Sequence, residues 1–359
     1  MNNLKSKLAA ALLTVLPMFA ASAAHLAGPE LYQGEQAQYD KALKEGMVIS
    51  FDTGPTWANW GTMFKAFKQR YPGMEIVYND LGSAATVVAL DKSRHRPQAD
   101  TAYYFGASAI DAAHKKLLHG YKPTNFAKIP KVFKDPDGRW FTIHTLNVAF
   151  LVNKKLVKDV PQSWADLLKP EYKNSIVYLD PRTTGQGQVV ALAANVSQGG
   201  TMKNIRPGVT YLGQLKKNGN MLRVVGTTPY AQFVKGEIPI WIGYENDGLK
   251  AMVKDGMGDD IAVVIPKEAS LAAPYAISMV KNGPNPQSAK LWLNYIMSTA
   301  GQSIFAQGFV RPVLTDMPMP ASVKDKLGCC TTNSSVDLKA AAAIKPQLDK
   351  MWTAQVLGN

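Results

Sequence analysis

The chain has 359 residues, of which 46% are hydrophobic and 19% charged. That length suits two domains or lobes, and the composition excludes a disordered, collagen-like or low-complexity chain. Lys+Arg 40 against Asp+Glu 27 gives a formal net charge of +13, but the densest basic runs, 92–96 and 114–116, form no polybasic arm, and no RNA-binding or zinc-finger pattern accompanies them, so nucleic acid is not an expected partner.

At the start of the chain Lys5 and Lys7 precede an apolar run from Leu8 to Ala20, followed by small residues Ala21-Ser22-Ala23. This pattern predicts a secretory signal peptide over residues 1–23. No later apolar run reaches the roughly 18 residues of a membrane span. The expectation is an exported, soluble, periplasmic protein. The two cysteines, Cys329 and Cys330, are adjacent and staple no loop. A strained vicinal disulfide, two free thiols and a crosslink to another chain all stay open. No cofactor and no metal site are expected.

In chain order, 24–45 reads as a helical lead-in. Met47–Phe51 is a short strand, broken by Asp52-Thr53-Gly54-Pro55. A helix follows from Trp57 to Tyr71, with Trp57, Trp60, Phe64 and Phe67 spaced three and four apart as an apolar stripe facing the core. Pro72-Gly73 ends it. A strand at 74–78, a helix from Gly82-Ser83 to about Leu90, a strand at 99–104 and a helix at 108–118 complete three strand–helix repeats. That alternation predicts a mainly parallel sheet flanked by helices. A longer strand at 143–152 is a crossing. The pattern then restarts: a short helix at 164–168, strands at 175–179, 222–225, 238–243, 261–265 and 275–280, and helices after Gln188, at 207–218, 230–235, 286–299 and 337–356.

Several stretches of this sequence are similar to the periplasmic solute-binding proteins of ABC transporters, type II class. They include Ala99-Asp-Thr-Ala-Tyr-Tyr-Phe105, Leu151-Val-Asn-Lys-Lys155 and Pro161-Gln-Ser-Trp-Ala-Asp-Leu-Leu-Lys-Pro-Glu-Tyr172. Further on come Asp180-Pro-Arg-Thr-Thr-Gly185, Gly236-Glu-Ile-Pro-Ile240, Pro274-Tyr-Ala-Ile277 and Asn285-Pro-Gln-Ser-Ala-Lys290. Their order resembles the ferric-ion, polyamine, hexose-phosphate and aminoalkylphosphonate binders. The resemblance implies an α/β fold of two lobes closing over a ligand, delivery to an inner-membrane ABC permease, and no enzymatic activity. It implies one lobe over 24–152 plus 273–312, and a second over 153–272 plus 313–359. A monomer is expected.

In open α/β sheets ligands bind beyond the carboxyl ends of strands, where loops enter helices. That rule selects Thr53 and Trp57, Ser83, Tyr103 and Tyr104 in the first lobe, and Thr183, Thr184, Gly185, Gln186, Tyr244, Glu245 and Asp247 in the second. Thr227-Thr228 also falls on such a loop. Asn147 and Tyr275 lie on the crossing strands. Thr183-Thr184-Gly185-Gln186 sets two hydroxyls and free amides at a helix start, which favours an anion; plain N-capping is the alternative. Gly82-Ser83 offers the same device opposite. Tyr244, Glu245 and Asp247 suit an ammonium group or form a solvated helix start. Trp57, Tyr103, Tyr104 and Tyr275 offer aromatic walls. Trp60, Phe64 and Phe67 read as core, and His144 and Asp100 as structural.

The expected ligand is a small anionic or zwitterionic molecule, an aminoalkylphosphonate such as 2-aminoethylphosphonate. A polyamine is the runner-up. A ferric ion follows, although the ferric sites of the resembled proteins use a tyrosine pair where this chain has only Tyr244. A secreted hydrolase is the remote alternative, and no hydrolase elbow or zinc-protease motif is present.

Overall fold

The computed structural model describes residues 25–328 and 334–358. The signal peptide expected at 1–23 and the cysteines at 329–330 lie outside the described residues. Among the described residues no helix is long and apolar enough to cross a membrane.

The first half is built on β1 (Met47–Phe51), β2 (Glu75–Tyr78) and β3 (Thr101–Phe105), parallel in the order β2-β1-β3. Around them lie α1 (Glu35–Leu43), α2 (Trp60–Arg70), α3 (Ser83–Lys92) and α4 (Gly106–His114), followed by β4 (Leu118–His119). The three expected strand–helix repeats are therefore present. The long crossing strand β5 (Phe141–Asn153) has 13 residues. Beyond it come β6 (Ile176–Leu179), α5 (Gly185–Ser197), α6 (Arg206–Lys217), β7 (Met221–Val225), α7 (Tyr230–Val234), β8 (Ile240–Tyr244), α8 (Glu245–Val253) and β9 (Ile261–Val264). The chain returns through β10 (Leu271–Val280), α9 (Pro286–Met297), α10 (Thr299–Gln307), β11 (Arg311–Pro312), α11 (Ala321–Gly328), β12 (Ser334–Ser335) and α12 (Leu338–Trp352).

One strand serves both halves. Up to Asn147, β5 pairs antiparallel with β10, which also pairs with β3. From Val148 onward β5 pairs with β8 and β9, and β8 leads to β6 and β7. The overall order is β2-β1-β3-β10-β5-β8-β6-β7. β10 is an antiparallel insertion in an otherwise parallel half-sheet, so the strand ends of both halves converge near it.

The apolar stripe of α2 goes to the core as its spacing requires. Trp60 and Phe67 are fully buried, and Trp60 meets Tyr103 and Phe305 edge-on at 5.1 and 5.3 Å. The helix starts later than expected, because Ala58 and Asn59 take left-handed φ of 46° and 63°. Trp57 is thereby left on a loop and not in the stripe. Asp100 is structural: its carboxylate accepts the Ile49 amide at 2.7 Å and the Asn285 amide at 2.6 Å, locking β1 to the start of α9. α5 is buried from Gly185 to Asn195, the signature of an inner helix.

α12 spans both halves, touching α4 of the first and α6 of the second. Leu338 packs so closely on Gly106 of α4 that a Cβ there would stand 2.7 Å from its Cδ1. At the other end Trp352 Nε1 donates to the Tyr178 hydroxyl of β6 at 3.0 Å. Between them Gln188 of α5 donates to the Ala341 carbonyl at 2.8 Å.

Candidate functional site

The carboxyl ends of β1 and β2 face those of β6 and β7 across a cleft. On the first side it is lined by Asp52, Trp57, Asp80 and Gly82-Ser83; on the second by Thr184-Gly185-Gln186 and Gly226-Thr227-Thr228; Tyr275 of β10 lies between them. Of the residues expected from the sequence, Trp57, Ser83, Thr184, Gly185, Gln186 and Tyr275 are thus brought together.

The second side is the start of a helix. Thr184 is the N-cap of α5: its hydroxyl accepts the Gly187 amide at 3.1 Å and donates to the Asp180 carbonyl at 2.8 Å. The capping reading is therefore correct for its side chain. Among the described residues no protein acceptor meets the Gly185 and Gln186 amides, as expected for the first turn of a helix. These two N–H groups, with the positive end of a 13-residue helix behind them, form a place for an anion. Asp180 holds Arg182 in a two-point ion pair, with Nη2 2.6 Å from Oδ2, and keeps that guanidinium over Trp352.

The matching device on α3 is used differently. Gly82 takes φ +86°, a conformation glycine adopts without strain. Its amide donates to Asp52 Oδ1 at 2.7 Å. Ser83 Oγ accepts the Phe105 amide at 2.9 Å. The Ala84 amide then donates across the cleft to the Thr183 carbonyl at 3.0 Å. In this conformation the start of α3 grips the other half and offers no free pair of amides.

Two acids on the first side had no sequence signal beyond their position after a strand. Asp52 is buried, and burial pushes its carboxyl well above the usual range; the Gly82 amide opposes this and the nearby Asp80 charge adds to it. Asp80 stands at the rim, open to solvent, and its partial enclosure still raises its carboxyl. An acid just after a strand reads as a turn residue, and neither position carries a further signal.

Behind the cleft lies an aromatic cluster. Trp57 meets Tyr275 edge-on at 5.3 Å and Tyr244 at 6.1 Å. Tyr103 stacks on Tyr275 at 5.3 Å and its hydroxyl lies 2.9 Å from His144 Nε2. His144 is buried, which pushes it down to about 3, so it is a neutral packing residue. The Tyr244 hydroxyl is 3.3 Å from that of Tyr275. Tyr103 and Tyr244 support Tyr275 from behind and do not line the cleft. Tyr104 is fully buried on the opposite face of β3, as alternation along a strand requires. The hydroxyl of Thr53 is drawn inward to the Ser50 carbonyl at 3.0 Å. Thr183 contributes its carbonyl, not its hydroxyl.

The expected acids at the start of α8 fit neither of their readings: they are buried rather than solvated, and they do not line the cleft. Glu245 Oε1 receives Arg311 Nε at 2.9 Å and its other oxygen receives the Asn147 amide. Burial outweighs Arg311 and pushes the carboxyl up to about 7. Asn147 is buried at this junction. Asp247 is likewise pushed up to about 7 by burial, against the opposing charge of Lys250, and its Oδ2 has no hydrogen-bond partner among the described residues.

Among known proteins, the family model described as bacterial extracellular solute-binding protein matches residues 97–327. A Salmonella typhimurium protein named "Putative 2-aminoethylphosphonate-binding periplasmic protein" is 28% identical over 261 residues, covering 71% of this chain and 74% of that protein. The thiosulfate-binding protein of Pseudomonas aeruginosa is 26% identical over 178 residues, 48% of this chain and 51% of that protein. Among solved structures, the periplasmic binding protein AfuA of Actinobacillus pleuropneumoniae superposes with a TM-score of 0.73 at 21% identity, covering 87% of this chain and 99% of that one.

Proposed function

The chain belongs to the family of bacterial extracellular solute-binding proteins, with the two-lobe fold of type II periplasmic binding proteins, and from that premise we propose that it captures an aminoalkylphosphonate, such as 2-aminoethylphosphonate, between its lobes in the periplasm and hands it to the permease of an ABC importer. The observation that carries this reading is the opposition of charge across one cleft. The unpartnered Gly185 and Gln186 amides face the ligand from one side, with the Thr227 and Thr228 loop beside them. Asp52 and Asp80 face it from the other. A tetrahedral anion suits the helix start. An ammonium between the two carboxylates relieves their mutual repulsion, and Trp57 and Tyr275 can hold the short carbon chain and the cation. Relatives named for 2-aminoethylphosphonate and for thiosulfate both support an oxyanion as the ligand.

The ammonium partner in this reading differs from the one expected from the sequence: Asp52 and Asp80 take the role given to Glu245 and Asp247. The same two acids favour a second reading, a polyamine, which needs carboxylates in the cleft. Closure would hinge at β5 and β10 and select the ligand-bridged form.

Calorimetric titration of the exported protein with 2-aminoethylphosphonate, ethylphosphonate and putrescine tests the assignment. The expected order is tight binding of the aminophosphonate and weaker binding of ethylphosphonate. At 100 times its dissociation constant the ligand should stabilise the protein by about 2.7 kcal/mol. Binding of putrescine alone would move the site to the acids and leave the start of α5 as a cap.

A further inference from the structure

The first half carries a second cavity, at the end of its sheet opposite the cleft. It is floored by the buried side chains of Leu90, Leu117 and Val280. Its walls come from three separate segments: Arg94 and His95 after α3, Lys115 and Lys116 after α4, and Lys281 with Asn282 after β10. The strands bring these segments together. β4 pairs Leu118 with Val280 and His119 with Met279, and the Lys281 amide donates to the Leu117 carbonyl at 2.9 Å. Arg94 is held by Asp91 and Lys115 lies 3.7 Å from Asp111. Lys116 and Lys281 have no ion pair among the described residues. Positive charge therefore exceeds negative charge in a concave site, and it does so through residues far apart in sequence.

The backbone adds an independent observation. α4 ends in a Schellman motif: the Leu117 amide reaches back to the Ala112 carbonyl at 3.1 Å and the Lys116 amide to Ala113 at 3.0 Å. The residue after the cap must take a left-handed conformation there, and glycine is the usual choice. Here it is Lys116, at φ 59°. Asn282, which lines the same cavity, is also left-handed, at φ 56°. An exposed lysine gains nothing for the fold at such a position. Local rules are most often broken where a residue is kept for a site.

We infer that this cavity is a second anion site, separate from the ligand cleft, for a multiply charged phosphate-class group. Arg94 offers a planar donor pair and the lysines offer point charges, a combination suited to two or more neighbouring phosphate oxyanions. The group can belong to a free polyanion or to the headgroup of an anionic lipid, and the two sources share this chemistry.

Titration of the whole protein with pyrophosphate tests the inference, using three variants. Lys116→Gly removes one charge and also relieves the left-handed strain, so its fold should be at least as heat-stable as the parent's. Its affinity for pyrophosphate should fall about tenfold or more, the loss expected for one charge-assisted hydrogen bond. Lys281→Gln should weaken binding comparably. Gly185→Val, which obstructs the cleft, should leave pyrophosphate binding at this cavity unchanged. Vesicles of phosphatidylglycerol that compete with pyrophosphate for the parent but not for Lys116→Gly identify a lipid source; vesicles without effect identify a free anion. The inference is overturned if pyrophosphate does not bind, or if it binds Lys116→Gly and Lys281→Gln as it binds the parent.

Discussion

The carbonyl of Thr183 accepts the amide of Ala84 at 3.0 Å, and the two residues belong to opposite sides of the cleft. A loop that leads into one helix thus caps the first turn of another. The start of α3 is held by protein and the start of α5 is left with two free amides, although the sequence marks the two in the same way.

The contact leaves no spare room at Gly185. A Cβ there would stand 2.7 Å from Ser83 Oγ and 3.0 Å from the Tyr275 hydroxyl, and would meet the Cβ of Phe105. Gly185→Ala should keep its helix, because alanine favours one, yet hold the lobes apart. The expected outcome is a ligand affinity lowered about tenfold or more, the scale of an overpacking penalty of 1–3 kcal/mol. Small-angle scattering should show a larger radius of gyration than for the parent. Parent-like values of both would mean that the ligand is held with the lobes further apart than here.

Asp52 should tie ligand binding to pH. Its carboxyl lies well above the usual range in the free cleft, and an arriving ammonium favours the ionised form. Binding of an aminophosphonate should therefore release a proton and strengthen as pH rises above the ordinary carboxylate range of about 4. Calorimetry in buffers of different ionisation enthalpy reads the proton directly. Asp52→Asn should abolish the release and weaken the aminophosphonate more than ethylphosphonate.

Asp247 should make the fold less stable in alkali. Its carboxyl, ordinarily at 3.8, is raised to about 7 by burial. The folded state therefore keeps a proton that the unfolded chain gives up. The stability involved is complete below about pH 4 and is lost as pH rises through about 7. Asp247→Asn removes this loss. Its melting temperature should exceed the parent's above neutral pH, by an amount on the order of a few kcal/mol in stability, and the gap should close towards acid.

Arg311 should matter more to stability than to binding. Its guanidinium is the charge partner of the fully buried Glu245 and also donates to the Leu327 carbonyl at 2.7 Å. Arg311→Met leaves a buried carboxyl without its cation. Breaking such a pair from one side typically costs about 3–5 kcal/mol. Chemical denaturation in mild alkali, where Glu245 is ionised, should show a loss approaching this size, and a smaller one at neutral pH and below, where the carboxyl, pushed up to about 7 by burial, takes up a proton. A change below about 1 kcal/mol would mean that water replaces the guanidinium.

Much of this architecture was legible in the sequence because it rests on local pattern. The repeats through β3 and α4, the stripe of Trp60 and Phe67, and the helix start at Thr184 follow from spacing and breakers. Residues whose role depends on distant partners were not legible. Glu245 and Asp247 follow a strand and look like ligands for an amine, but Arg311, 66 residues away, holds Glu245 inside. Asp52 and Asp80 look like turn acids, yet the fold puts them together on one wall. α10 was hidden because Ser298 ends one helix and at once caps the next, accepting the Gly301 amide at 3.1 Å. The left-handed pair Ala58 and Asn59, which frees Trp57 for the cleft, breaks no visible hydrophobic period.

The sharing of β5 also limits how such a protein can be assembled from parts. Its residues to Asn147 complete one half-sheet and those from Val148 complete the other. Each half therefore takes a strand from a segment continuous with the other, and β10 returns after the second half to complete the first. Neither half is then a module that recombination could exchange intact. A new specificity has to come by changing loops at the strand ends, with the strand beneath them inherited whole.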